Sequence, residues 1–360
     1  MIRLQENVSL REYTTIGLGG PARYFSRCAS ADEIRVCHDF AESSRLPVFI
    51  LGGGSNVIFP DEGYPGLVLQ IGVRGIEILE ENAHAILRVG GGESWDCIVE
   101  KSVKQGLCGI ECLSGIPGST GAVPVQNVGA YGQEVAETIV SVQCLEFRTG
   151  REVRIPAEEC DFSYRSSRFK GKDRGRYIIL SVDFRLKRST LPQIRYAELE
   201  REAKDSLEKA QGDPASGLMA IRQAVLRLRK KKSMVIDPED PNTRSVGSFF
   251  LNPVFEEDEF VAVKERIGQK ITDEIPVFRQ GSRVKIPAAW LIEKAGFQKG
   301  FRLGGAGIST NHSLALVNFG SSSFEILSLA AMIRSKIESE FGVALEREPV
   351  VLDKNGEALP

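Results

Sequence analysis

The stretch Ser114–Gly132, SGIPGSTGAVPVQNVGAYG, decides how this 360-residue chain is read. It carries Gly115, Gly118, Gly121, Gly129 and Gly132 among small or amide-bearing neighbours. A segment with so little side chain to bury is not ordinary core. Glycine lets backbone N–H groups come close to a ligand and permits the turns that aim them. Pro117 and Pro124 stiffen the loop, which lowers the entropy lost on binding. Gln126 and Asn127 add donors and acceptors suited to a polar ring or a diphosphate. On composition alone the stretch reads equally well as a glycine-rich surface loop without a ligand. The decision rests on what surrounds it.

Upstream, Pro47–Ile58 (PVFILGGGSNVI) reads as strand, tight turn and strand. Gly52, Gly53 and Gly54 present consecutive N–H groups, followed by Ser55 and Asn56. Val57-Ile58-Phe59-Pro60 comes next rather than a helix, so this is not a Rossmann fingerprint. Either a phosphate cradle of another type or a plain hairpin fits. A third glycine turn, Gly17-x-Gly19-Gly20-Pro21, is chain punctuation taken alone. Three such loops within the first 132 residues point to a dinucleotide. Downstream, the Tyr164-Arg165 pair in FSYR suits stacking on a ring and donation to an enolate or carboxylate, or a simple strand end. In GSFFLNP, Gly247–Pro253, Ser248 is a turn residue or a chemical group, and no histidine lies near to make it a hydrolase nucleophile. Arg227 to Lys232 is a solvated helix end or a grip on phosphates.

Composition narrows the classes. The hydrophobic share of 42% and charged share of 26% are those of a globular protein. No run approaches the about 18 apolar residues that span a bilayer, and the N-terminal stretch lacks an apolar signal core. Seven cysteines without a framework pattern predict free thiols in a reducing cytoplasm, and Cys108-x-x-x-Cys112 is not expected to hold a metal. His38, His84 and His312 are scattered, which argues against a zinc hydrolase or a histidine triad. A net charge of −2 supplies no field for nucleic acid.

Short strands and helices predict an α+β fold. Strands are expected over Gly66–Ile71, Ala83–Val89, Ile139–Phe147 and Tyr177–Leu186, and Ser94 as the cap of a helix carrying Trp95, Ile98, Val99 and Val103. From Glu198 the chain turns charged and helical, with Gly212-Asp213-Pro214 dividing two helices. Pro287 opens a helix ending at Gly296. Ser322 and Glu325 form a capping box for a helix to about Glu340, and ALEREPVVL reads as a closing strand.

Taken together and in order, TTIGLGGPA, ILGGGSNVIF, SGIPGSTGAVPVQNVGAYGQE, FSYRSSRFK, GSFFLNPV, PAAWLIEKAGFQKG and LEREPVVL closely resemble the UDP-N-acetylenolpyruvoylglucosamine reductases of bacterial cell-wall synthesis. The Tyr164–Phe169 loop and Tyr196 resemble the family's type I form, in which a tyrosine-bearing loop closes over substrate. The resemblance implies a two-part FAD-binding domain of vanillyl-alcohol-oxidase (PCMH) type and a smaller C-terminal α+β substrate domain. Residues 1–72, joined by 344–360, and 73–227 would form the first, and 228–343 the second. It further implies NADPH as reductant, FAD as carrier and UDP-N-acetylglucosamine enolpyruvate as substrate, in a cytoplasmic monomer serving peptidoglycan synthesis. FAD contacts are carried over to Gly52, Gly53, Gly54, Ser55, Asn56, Gly115, Ile116, Pro117, Gly118, Ser119, Gly121, Ala122, Gly129 and Ala130. Ser248 matches the proton donor, and Arg165 and Glu348 match the residues that stabilise and polarise the enolic intermediate. Tyr131, Tyr196, Arg229, Lys232 and Asn252 match substrate positions. Lys231 beside Lys232 and Glu346 beside Glu348 are the competing registers. A flavin oxidase on the same fold and a non-catalytic nucleic-acid binder using Arg222 to Lys232 are the alternatives.

Overall fold

Parallel strands Pro21–Cys28, Tyr64–Ile71 and Val48–Leu51 lie side by side in one sheet, with Gln5–Ser9 beside the first of them. The computed structural model describes residues 3–188, 193–210 and 212–359. Helix α1, Ala31–Ser43, makes the crossover between two of these strands. It starts where Ser30 Oγ accepts the N–H of Glu33. The chain folds into two units, each drawn from separated stretches of sequence. The first comprises the residues up to Val8, Ala22–Gly54 and Tyr64–Val235, and the second Ser9–Pro21, Ser55–Gly63 and Ile236–Pro360.

The first unit holds a second, antiparallel sheet in the order Arg151–Pro156, Ile139–Glu146, Tyr177–Arg188, His84–Gly90 and Ile76–Glu81. Leu107–Cys108 pairs with the far end of its long central strand. Helix α2, Trp95–Lys104, lays Trp95, Ile98 and Val99 onto this sheet, and the Trp95 ring sits 5.6 Å from Phe184. Fully burying side chains of this size contributes about 1.5–3 kcal/mol each. Helices α3, Ala197–Lys209, and α4, Pro214–Lys231, pack together through Leu199, Ala203, Ile221, Val225 and Leu228. The break between them falls where expected. Asp213 caps α4 by accepting from Ser216 N–H, with Pro214 at the first helical position.

The second unit is built on strands Ser245–Ser248, Ala315–Asn318, Ala306–Ile308 and Arg302–Leu303. A smaller sheet joins Val254–Glu256, Arg283–Lys285 and Phe278–Gln280. Helices α5, Glu257–Gly268, α6, Ala288–Lys294, and α7, Ser323–Phe341, complete it. The capping box of α7 forms as read, Ser322 with Glu325. Ile326, Leu329, Ile333, Ile337 and Phe341 of α7 meet Phe249 and Phe250 in the core. Ile16, Leu18 and Ile58, from the two short upstream segments, are buried in that same core.

The closing segment departs from its reading as one strand. Only Val350–Val351 forms a ladder, parallel to Val57–Ile58, while Arg347 makes an isolated bridge to Phe250. Pro349 stands between them without an N–H to continue the pairing.

Candidate active site

Two glycine-rich loops of the first unit meet backbone to backbone. A Cβ on Gly53 would fall 2.6 Å from Gly118 Cα and 2.9 Å from Gly118 C. One on Gly52 would fall 2.6 Å from Ser119 Oγ. At Gly53 the atoms met are backbone, so no side chain larger than hydrogen fits and the glycine serves close approach rather than mere turning; at Gly52 the atom met is the Ser119 hydroxyl. The longer loop is anchored from below. Thr120 N–H donates to Glu93 O, Gly121 N–H to Gly91 O, and Trp95 N–H to Gly118 O at the start of α2. The Ser119 hydroxyl is buried and makes no hydrogen bond, an unusual state for such a group.

The far end of the loop carries backbone strain. Asn127, Tyr131 and Arg165 all hold positive φ, at 44°, 49° and 52°. Such conformations in residues other than glycine are uncommon and gather at functional sites. Asn127 is held by three bonds, to Glu134 Oε2, Ser163 O and Ala136 N–H. Arg165 Nη2 donates to Gly129 O at 2.5 Å, and its guanidinium lies over the Tyr164 ring. Lys170 Nζ donates back to Arg165 O. The FSYRSSRFK segment is therefore a buttress of the glycine loop and not a strand end.

Beside this loop, α4 ends in the basic run. Lys232 Nζ lies 6.0 Å from the Tyr131 ring centroid and donates to Glu198 Oε2 at 2.8 Å. Tyr131 and Tyr196 meet edge to face at 5.5 Å. Burial pushes the Tyr131 hydroxyl up to about 12. Lys231 points elsewhere, to Glu202, and is more exposed than Lys232. Arg229 is buried, donates to Met234 O and leaves Nε without a partner. Loss of hydration pulls its guanidinium below the ordinary arginine value.

The second unit presents the other predicted residues. Gly247, at φ 79°, sits where the Ser245–Ser248 strand slips its register against Ala315–Asn318. Such a bulge re-aims the residue that follows it, here Ser248. The next residues bond to the closing segment: Glu348 N–H donates to Phe249 O, and Leu251 N–H to Glu346 O. Glu348 is half-buried and Glu346 exposed. Asn56 Nδ2 donates to Glu348 O. Asn252 accepts the N–H of Ala288 at the start of α6.

Residues 22–156 match the FAD binding domain model. Residues 238–352 match the model for the C-terminal domain of UDP-N-acetylenolpyruvoylglucosamine reductase. A UDP-N-acetylenolpyruvoylglucosamine reductase of Thermobifida fusca is 46% identical, covering 96% of this chain and 97% of its own. One of Mycobacterium avium is 39% identical over 96% of this chain and 94% of its own.

The chain belongs to the UDP-N-acetylenolpyruvoylglucosamine reductase family.

The crystal structure of the reductase from Thermus caldophilus shares the fold, with a TM-score of 0.66 at 24% identity and coverage of 98% and 99%. An FAD-binding domain followed by the reductase C-terminal domain is thus the architecture, as expected. The residues present suit the flavin nucleotide: opposed glycine backbones and the orphaned Ser119 hydroxyl are what a polar, anionic ligand would satisfy.

Three participants near the reductase glycine loop had no sequence signal. Asp96 accepts Gly115 N–H and pairs with Arg222. Burial opposes ionisation of Asp96, but hydrogen bonds from Arg222 and Gly115, with the charges of Arg222 and Arg229, hold its carboxyl below the usual range. Glu198 holds Lys232. Glu111, fully buried, accepts from Gly109 N–H and from Gln133, whose Oε1 takes Cys112 N–H. Burial raises the Glu111 carboxyl against these hydrogen bonds. A raised folded value gives stability below the ordinary glutamate range that is lost as pH climbs through the raised value. Glu111→Gln, which cannot ionise, is therefore expected to lose less melting temperature than the wild type between pH 5 and pH 8, on top of a pH-independent cost because its amide N–H2 cannot accept from Gly109 N–H or Gln133. Thermal melts across that range check this, and an equal shift at both pH values would contradict it.

Proposed function

We propose that this protein reduces UDP-N-acetylglucosamine enolpyruvate to UDP-N-acetylmuramate with NADPH, as a cytoplasmic monomer in peptidoglycan precursor synthesis. Near full-length identity to reductases of that name carries the reading. FAD, when bound, takes electrons from one substrate and delivers them to the next as a hydride. A proton must join that hydride across the carbon–carbon double bond, and charge develops on the carboxylate side meanwhile.

Ser248 is the proton donor of this reading, and its place after the Gly247 bulge is what supports it. A serine hydroxyl is a weak acid, so its use demands stabilisation of the alkoxide it leaves. Arg165 balances the charge of the enolic carboxylate, its guanidinium being fixed by Gly129 O and the Tyr164 ring. Glu348 polarises the same intermediate; its half-burial against the exposure of Glu346 favours it over that neighbour. Lys232, with Tyr131 and Tyr196 around it, takes a phosphate of the nucleotide, and its lesser exposure favours it over Lys231. Arg229 and Asn252 complete the substrate contacts. Gly52, Gly53, Gly54, Ser55 and Asn56, with Gly115 to Ser119, Gly121, Ala122, Gly129 and Ala130, would hold the flavin. Within the first unit, the mainly parallel sheet before residue 72 and the antiparallel sheet after it support two FAD-binding subdomains. Val350–Val351 pairs with Val57–Ile58, within the residues 1–72 that the resemblance joins to 344–360, but both segments belong to the second unit.

Anaerobic stopped-flow absorbance tests this. Bleaching of bound flavin by NADPH, with recovery on adding UDP-N-acetylglucosamine enolpyruvate, is the expected result. Recovery only on admitting oxygen would replace the reductase by an oxidase.

A further inference from the structure

Asp96 lies in the first turn of α2, and Arg222 on α4, where only about 7% of its side chain is exposed. The two make a bidentate pair, Nη1 to Oδ1 at 2.6 Å and Nη2 to Oδ2 at 2.9 Å. The same Oδ1 accepts the N–H of Gly115 at 2.6 Å. One carboxylate thus ties two helices to the first glycine of the long loop. Gly115 rests on α4 itself: a Cβ there would fall 2.8 Å from Leu226 Cδ2 and 3.5 Å from Arg229 Nε.

From this geometry we propose that the Arg222–Asp96 pair is a positioning device for the flavin-holding loop, fixing the direction of the Gly115 N–H and hence the course of the backbone through Gly118. The inference rests on the reading that this loop holds FAD. Stability alone does not account for the pair. Removing a guanidinium from water offsets much of its attraction to a carboxylate, and apolar replacements for buried ion pairs are often neutral or stabilising. What the planar fork adds is orientation. It fixes the plane of the carboxylate, so that one lone pair of Oδ1 faces Gly115. Asp96 also compensates one of two buried guanidinium groups on this face of α4, leaving Arg229 as the cation in excess. Arg229 follows Arg222 by seven residues, two helical turns on. Neutralising Asp96 would therefore disturb both the aim of the loop and the local charge.

The test uses the full-length FAD-loaded protein, with FAD affinity measured by fluorescence titration after reconstitution. Flavin release and tryptophan unfolding are followed on heating in one sample. Asp96→Asn and Arg222→Lys probe charge and fork geometry separately. The double variant Asp96→Leu/Arg222→Met removes both charges and guards against misfolding of a singly uncompensated protein. In FAD-free form the double variant is expected to unfold near the temperature of the FAD-free wild type, while it binds FAD at least about tenfold more weakly and releases it at a lower temperature than the wild type does. Arg222→Lys should fall between it and the wild type. Unchanged FAD affinity in the double variant, or an FAD-free form that unfolds well below the FAD-free wild type, would overturn the proposal. A wild-type chain that takes up no FAD would instead remove the reading of the loop on which it rests.

Discussion

Ser248→Ala is expected to slow reoxidation of the reduced enzyme by UDP-N-acetylglucosamine enolpyruvate by about 100- to 10,000-fold, the usual weight of a positioned acid. Bleaching by NADPH should stay essentially unchanged, because that half-reaction needs no proton at the substrate carbon. The substitution is gentle toward the fold. Alanine keeps the Cβ, and the bulge is set one residue earlier by Gly247 at φ 79° and the slipped register with Ala315–Asn318. A structural defect would depress both half-reactions, whereas a missing acid depresses only the second. Anaerobic stopped-flow traces of each half-reaction separate these outcomes, and equal loss in both would remove Ser248 from the role.

Gly53→Ala is expected to carry the other large effect, on flavin binding. The added Cβ meets Gly118 Cα at 2.6 Å and C at 2.9 Å, both backbone atoms that cannot rotate aside. Relieving such overpacking takes typically about 1–3 kcal/mol. If the loops part to relieve it, FAD affinity falls by roughly 5- to 150-fold, and the protein purifies pale. The same exchange at Gly268, in α5 with nothing within 4 Å of its Cβ, is the control. There alanine should hold or raise stability, by up to about 1 kcal/mol from helix propensity. Fluorescence titration with FAD reads both variants, and wild-type affinity in Gly53→Ala would refute the close-packed cradle.

What could be read from the chain alone follows a physical line. Helix ends were legible because their determinants are local: Asp213 with Pro214 for α4, and Ser322 with Glu325 for α7, lie within one turn of the boundary they set. The glycine loops were legible because the absence of side chains is itself the functional property. The Asp96–Arg222 pair was not, since its partners stand 126 positions apart and each alone is an ordinary helix-surface residue. The same holds for Glu198 beneath Lys232, which reads as one more charge in a charged helix. ALEREPVVL was over-read because alternating apolar residues suggest a strand, but pairing depends on a partner. Val57–Ile58 offers two residues of it. Spacing from the apolar strand favours Glu348 over Glu346 in the sequence, and in the structure Glu348 is half-buried and Glu346 exposed.

The second unit is assembled from Ser9–Pro21, Ser55–Gly63 and everything after Val235. Ile16, Leu18 and Ile58, from its two early pieces, are buried in one core with Phe249, Phe250 and residues of α6 and α7. During synthesis they leave the ribosome long before Ile236 and the sheets and helices beyond it exist. At about 5–20 residues per second the wait is on the order of ten seconds or more. For that interval these apolar residues lack their eventual cover, and by its end the whole sequence of the first unit has been made. Translation order thus exposes a defined set of side chains to chaperones and to neighbouring nascent chains. A pause or truncation before Ile236 would leave a complete first unit whose sequence is interrupted by two sticky, unclaimed segments.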